Sequence, residues 1–220
     1  MSKSLKTILV LAASMLLIGA VNQQNSNGLF KNSGDIGNPK LKGIFEYNPD
    51  SKVYTLTGGG TNMWMNSDEF FMAWKQMTGD FAISARVVFD GEGVNAHRKI
   101  GVIIRESLTG ESKYADVALH GDGLTSLQYR DTTGGITREV TAKSVGCKYL
   151  TLERTGRKIT MKVSNSGFST ISAGEIELDL PATCYAGIFI CSHDADVLEK
   201  AFFTDVQLQS SPKSTGDTKD

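Results

Sequence analysis

The sequence predicts an all-β, mostly antiparallel fold, a sandwich or barrel, of which the sandwich is the reading adopted. Two observations carry this. Apolar residues recur with a period of two along segment after segment, and Gly-containing turns separate those segments at short intervals. A third observation removes the main competitor: no Gly-rich phosphate loop opens a helix, which argues against nucleotide-binding α/β folds.

Taken in chain order, Val53–Thr57 is the first strand candidate. Ser67–Met77 reads two ways. Ser67 can cap a helix with Asp68 and Glu69 in its first turn, and Phe70, Met72 and Trp74 can share one side of a strand. The all-β surroundings favour the strand. Phe81, Ile83, Ala85, Val87 and Phe89 alternate with smaller or polar residues, giving a strand with one strongly apolar face. Ile100–Ile104 is continuously apolar and predicts a strand buried on both sides. Tyr114–Leu119 and Leu124–Arg130 follow. Leu150 and Leu152, then Ile159, Met161 and Val163, then Ile176, Leu178 and Leu180 give three more alternating runs. Tyr185–Ile190 and Phe202–Leu208 complete the set. Gly134-Gly135, Gly156 and Gly167 mark hairpin turns between neighbours.

A chain of 220 residues, 40% hydrophobic and 21% charged, suits one folded domain. Its 23 Gly and 4 Pro suit a fold with many tight turns. Residues 1–20 read as a signal peptide: Lys3 and Lys6 precede the uncharged apolar run Ile8–Ile18, and Gly19-Ala20 offers a small-residue cleavage site. The run is short for a bilayer span, which needs about 20 apolar residues, and no second such run follows. Export to the periplasm or the exterior is therefore expected, with no membrane insertion after cleavage. Residues 21–32 read as a flexible leader, 33–209 as the β-sandwich domain and 210–220 as a disordered polar tail. Without the signal peptide's two lysines the chain carries 21 basic and 24 acidic residues, a net charge of −3. That balance, with no basic cluster, argues against nucleic acid as a partner. Cys184 and Cys191 fall on one predicted strand, too far apart to bridge each other. Cys147 can pair with either, or all three can be buried free thiols.

Candidate chemistry falls in four places. Glu175, Glu177 and Asp179 alternate on one strand, the spacing that sets an acid and a nucleophile on one face in sandwich glycosidases. The same spacing also describes an ordinary solvated face. His97, His120 and His193 can supply a base, but no Gly-x-Ser-x-Gly elbow accompanies them. Asp194 with Asp196, and Asp35 with Asp205 if first and last strands adjoin, offer hard oxygens that suit a structural Ca²⁺, the one cofactor considered. Flat aromatic faces and planar polar groups suit sugars, and Trp64, Trp74, Arg105, Tyr129 and Arg130 are the candidates. Their bland alternative is that the tryptophans are core and the arginines pair with internal carboxylates.

Several stretches in order resemble the bacterial concanavalin A-like sandwich domains grouped with regulation-of-enolase-like proteins. They are Ser33–Gly37, Tyr54–Gly60 with Trp64, Thr78–Phe81, Ala85–Val87, Gly101–Ser107, Gln128–Arg130, Leu152–Arg154, Tyr185–Gly187 and Ser192-His193, together spanning residues 33–209. Cys147 and Tyr149 stand where relatives commonly carry Pro and Trp. The resemblance implies a jelly roll of two curved sheets, related in fold to lectins and glucanases. It implies no settled activity, and fold alone does not give one. The expectation is an exported, non-catalytic carbohydrate-binding module for a polysaccharide or glycan, with Trp64, Arg105, Tyr129 and Arg130 at the ligand. A glycan-acting hydrolase and a cell-envelope protein-interaction module are the alternatives.

Overall fold

The computed structural model describes residues 27–210. Residues 1–20, expected to be a signal peptide, the expected leader up to residue 26 and the expected tail from residue 211 lie outside the described residues. Fourteen strands and no helix are present among them: β1 (Asn32–Ile36), β2 (Ile44–Asn48), β3 (Val53–Gly60), β4 (Phe70–Thr78), β5 (Phe81–Phe89), β6 (Lys99–Arg105), β7 (Tyr114–His120), β8 (Thr125–Arg130), β9 (Arg138–Thr141), β10 (Tyr149–Thr155), β11 (Lys158–Ser164), β12 (Ile171–Glu177), β13 (Thr183–Cys191) and β14 (Asp194–Ser210).

They form two seven-stranded antiparallel sheets. One has the order β1-β4-β13-β6-β7-β8-β9 and the other β12-β11-β10-β5-β14-β3-β2. The period-two pattern decides how they face. Ile83, Ala85 and Val87 of β5, Leu150 and Leu152 of β10, and Ile159, Met161 and Val163 of β11 turn inward. They meet Phe71 and Ala73 of β4, Ile100, Val102 and Ile104 of β6, and Ala186, Ile188 and Ile190 of β13 in one core. Each of the Val, Leu, Ile, Met and Phe side chains among them contributes about 1.5–3 kcal/mol on leaving water, so the inter-sheet layer dominates stability. All three cysteines are free and buried, and Cys184 and Cys191 share β13 as expected.

The first sheet differs from the second in having a second apolar cluster on its outer face. Ile36, Phe70, Met72, Ile103, Tyr114, Ala118 and Phe189 lie there, with Met63 laid over them from the β3–β4 loop. This is why β6 and β7 are buried along their whole length on both faces. The 61–69 loop thus acts as a strap across the outer face of the sheet.

Three expectations change. The folded unit starts before residue 33, because Phe30 is 1% exposed and packs edge-on against Tyr54, whose hydroxyl also accepts the Leu29 amide at 2.8 Å. The strand expected around Ile176–Leu180 is Ile171–Glu177, which leaves Asp179 outside it. The first and last strands are not neighbours: β1 pairs with β4 in one sheet and β14 with β3 and β5 in the other. Asp35 and Asp205 therefore do not share a site. Asp35 instead accepts the Gly43 amide at 3.0 Å, and Asp205 occupies a bulge of β14 at φ 52°.

Candidate functional site

The strap is held by one buried carboxylate. Asp68, fully buried, accepts from Arg105 Nη1 at 2.7 Å and from Arg130 Nη1 and Nη2 at 2.9 and 2.6 Å. Arg130 also donates to the carbonyls of Met65, Gly110, Ser112 and Gly135, and Arg105 to those of Ser107 and Thr109. Both guanidinium groups lie near the ring of Tyr114, whose hydroxyl donates to the Met63 carbonyl at 2.7 Å. Two strand-end arginines thereby tie the strap to β6 and β8, with low-dielectric surroundings strengthening each charge-assisted bond.

This places the four residues expected at a ligand. Arg105 and Arg130 are brought together but are 0% exposed, and their donors are taken by Asp68 and by backbone carbonyls. They anchor the strap and do not face a cleft. Tyr129 sits between Gln128 and Arg130 on a pleated strand, so it turns to the opposite face and packs against the inter-sheet core. Trp64 lines a pocket. Trp74 lies elsewhere on the outer face, its ring over Gly34 in a separate depression with Lys31, Gln76 and Tyr185.

The Trp64 pocket has a volume of about 280 Å³. Four loops at one end of the sheet build its walls: 61–69, 90–98, 121–124 and the β13–β14 turn at 192–193. Its floor is the outer face of β6, β7 and β8. Trp64 and Asn62 come from the strap, His97 from the β5–β6 loop, Lys99 from β6, His120 from β7, Leu124 from the β7–β8 turn, Gln128 from β8, Glu139 from β9 and His193 from the β13–β14 turn. All three histidines of the chain thus converge on one cavity.

Each of these is positioned by local structure. Arg98 is buried against Phe89, pairs with Glu199 at 2.6 Å and donates to the Gly91 carbonyl, which fixes the loop carrying His97. Asn95 ties that loop to the His193 carbonyl at 3.0 Å, and the His97 and His193 rings lie 5.4 Å apart. His193 has φ 58°, a left-handed backbone that costs about 1–3 kcal/mol for a non-Gly residue and clusters at functional sites. Its buried Nδ1 has no partner among the described residues.

His120 has an assignable tautomer. Its Nδ1 faces the Leu124 carbonyl at 3.1 Å, which only accepts, so Nδ1 carries the proton. Nε2 is then the acceptor for the Gln128 amide at 3.3 Å. Burial, then the nearby Lys99 charge, lower its pKa to about 4, keeping the ring neutral. Burial and Lys99 push His193 down as well. With its amide turned to His120, Gln128 leaves Oε1 buried without a partner; so are both oxygens of Asp116 and the hydroxyl of Ser126 on the same face. Burial raises Asp116 well above the usual carboxylate range. Chemically, the pocket offers one half-buried indole face, an Asn62 amide whose oxygen accepts from Lys99 and the Met63 amide, two imidazoles at the rim and an exposed carboxylate, Glu139.

The other sequence candidates stay apart from it. Glu175 is exposed on the edge strand β12 and pairs with Lys158 at 2.9 Å, and Glu177 is exposed beside it. Asp196 is engaged by Lys40 at the surface, and Asp194 accepts the Asp196 amide at 2.8 Å. Among the described residues no group of three or more His, Cys, Asp or Glu side chains has metal-holding geometry.

No family model and no curated sequence matches the chain. Solved structures do. Lectin II from Ulex europaeus aligns with TM-score 0.52 at 10% identity, over 83% of this chain and 100% of that one. The carbohydrate-binding module CBM66 from Bacillus subtilis aligns with TM-score 0.51 at 12% identity, over 80% and 99%. The GH43 protein BlXynB from Bacillus licheniformis aligns with TM-score 0.57 at 14% identity over 82% of this chain, which spans only 39% of that protein. The fold is a concanavalin A-like jelly-roll sandwich, shared with lectins, carbohydrate-binding modules and glycoside-hydrolase proteins. Identities this low speak to fold alone.

Proposed function

We propose that this chain is an exported, non-catalytic carbohydrate-binding module and that its glycan binds in the Trp64 pocket. The observation that carries the reading is the pocket itself: a half-buried indole stands with a floor of buried hydrogen-bonding groups, Lys99, His120 and Gln128, on the outer face of a lectin-like sheet. An indole offers the flat apolar surface that a sugar ring stacks on, and Asn62, His97, His193 and Glu139 offer both donors and acceptors for its hydroxyls. At about 280 Å³ the cavity lies just below the ~300–1,000 Å³ range for ligand sites, which suits one ring of a chain or its terminus.

Two features support binding over hydrolysis. The paired carboxylates that a sandwich glycosidase would use, Glu175 and Glu177, are solvated on an edge strand away from this pocket. Glu139 is the one carboxylate among the residues that line the pocket, and glycoside hydrolysis ordinarily uses two. Export rests on the positive, apolar and small-residue succession of residues 1–20. Membership of the regulation-of-enolase-like group rests on the ordered motifs, several of whose arginines prove to be buried clamps: Arg105 and Arg130 on Asp68, and Arg154 on the carbonyls of Leu180 and Pro181. The test is a glycan-array screen of the purified protein with a turnover assay on the bound glycans. Saturable binding without cleavage is expected; cleavage, or the absence of any saturable binding, overturns the proposal.

A further inference from the structure

We infer that the sugar this pocket takes is an acidic one, carrying a carboxylate or sulfate whose charge is met by Lys99. The inference rests on the carbohydrate-binding reading above and names the substrate class of that same site.

Lys99 is the anomaly of the pocket. It opens β6 on the outer face, its side chain is 2% exposed, and its ammonium makes one hydrogen bond, to Asn62 Oδ1 at 3.2 Å. An ammonium has three donors, and a buried charge ordinarily has a counter-charge beside it. The neighbouring buried cations of this sheet all do: Arg98 has Glu199, and Arg105 and Arg130 share Asp68. Lys99 has no ion pair among the described residues, and it is the one of these four that lines the cavity.

The other charges nearby do not complete it. Asp116 lies on the adjacent strand β7, but it makes no ion pair with Lys99, and burial favours its protonated form. Glu139 stands exposed on β9, across two strands. Asp122 and Asp194 act on His120 and His193 respectively, and Asp194 is engaged with the Asp196 amide. The Lys99 charge lowers the Asp116 pKa against the larger effect of burial, and it is felt by the imidazoles of His120 and His193, whose protonated forms it disfavours. An anion in the cavity would satisfy the free donors of Lys99 and relieve that repulsion. Asn62, which already holds Lys99, keeps its amide N–H groups for the same anion or an adjacent hydroxyl.

Isothermal titration separates the outcomes. The probes are a uronic-acid oligosaccharide, the same oligosaccharide with its carboxyls reduced to alcohols, and a sulfated counterpart, each at low and high salt. The uronate or the sulfated sugar is expected to bind at least about tenfold more tightly than the reduced sugar, with the advantage shrinking in salt and vanishing in Lys99→Met. Whichever anion binds more tightly identifies the substituent. Equal affinity for acid and reduced sugar overturns the inference and leaves the carbohydrate-binding reading standing; binding of none of them removes both. The comparison of acid with reduced sugar is made on the unaltered protein, so it holds even if Lys99→Met fails to fold.

Discussion

Replacing Asp68 with alanine should be among the most damaging single changes in this domain, although it deletes only one carboxylate. In the native protein that carboxylate takes three charge-assisted hydrogen bonds from two guanidinium groups, all at 0% exposure. Removing it leaves two adjacent buried guanidinium groups without a counter-charge. Breaking a buried ion pair in this way typically costs about 3–5 kcal/mol, most of it the cost of the orphaned charge. In a domain of this size each kcal/mol lowers the melting temperature by about 2–4 °C, so the expected fall is roughly 6–20 °C. Calorimetry of Asp68→Ala measures it. The triple replacement Asp68→Leu, Arg105→Met, Arg130→Met removes the charges together and should recover most of the loss, since well-packed apolar groups often replace a buried ionic cluster at little cost. A loss below about 1 kcal/mol in Asp68→Ala, or a triple variant no better than the single, refutes the reasoning that these residues anchor the strap through compensated burial. The strap also carries Trp64 and Asn62, so glycan affinity should fall in Asp68→Ala at temperatures where the domain is still folded.

Two further predictions concern the pocket. Trp64→Ala should weaken glycan binding by about 1–2 kcal/mol, a five- to thirtyfold loss by titration calorimetry, while leaving the melting temperature near its original value because the indole is only half-buried. His120 titrates near pH 4 in the folded protein against 6.5 when unfolded, so the unfolded chain binds the extra proton between those values. Its stabilising effect is intact above pH 6.5 and is lost as the pH falls towards 4, amounting to about 3 kcal/mol, and urea melts across that window should show a shallower pH slope in His120→Asn.

The strands that announced themselves in the sequence are those with a neighbour on each side. β5, β6, β10, β11 and β13 each pair on both edges, so their inward positions are uniformly apolar and the period of two is plain. The strands missed or misplaced are the four at sheet edges: β1, β2, β9 and β12. Each pairs on one side only and has few buried residues, as in Arg138–Thr141 and Ile171–Glu177, so tertiary pairing rather than local pattern makes them strands. Arg105 was readable as a charge ending a buried strand, and therefore in need of a partner. That partner, Asp68, lies 37 residues away in a segment whose helix-capping pattern hid its role. Lys99 directly precedes the apolar run Ile100–Ile104 and carries no signal of its own in the sequence; the fold makes it a buried cation. The histidines left no spacing signal because they reach the pocket from the β5–β6 connection, the end of β7 and the β13–β14 turn, far apart in the chain.

Hydrogen exchange with and without a saturating oligosaccharide identified on the array tests the central claim most directly. Binding in the Trp64 pocket predicts new protection confined to the strap 61–69, the 94–99 segment, 120–128 and 192–194, the loops and strand ends that line it. Protection instead on the second sheet, along β10, β11 and β12, would contradict the account and move the ligand to the opposite face of the sandwich.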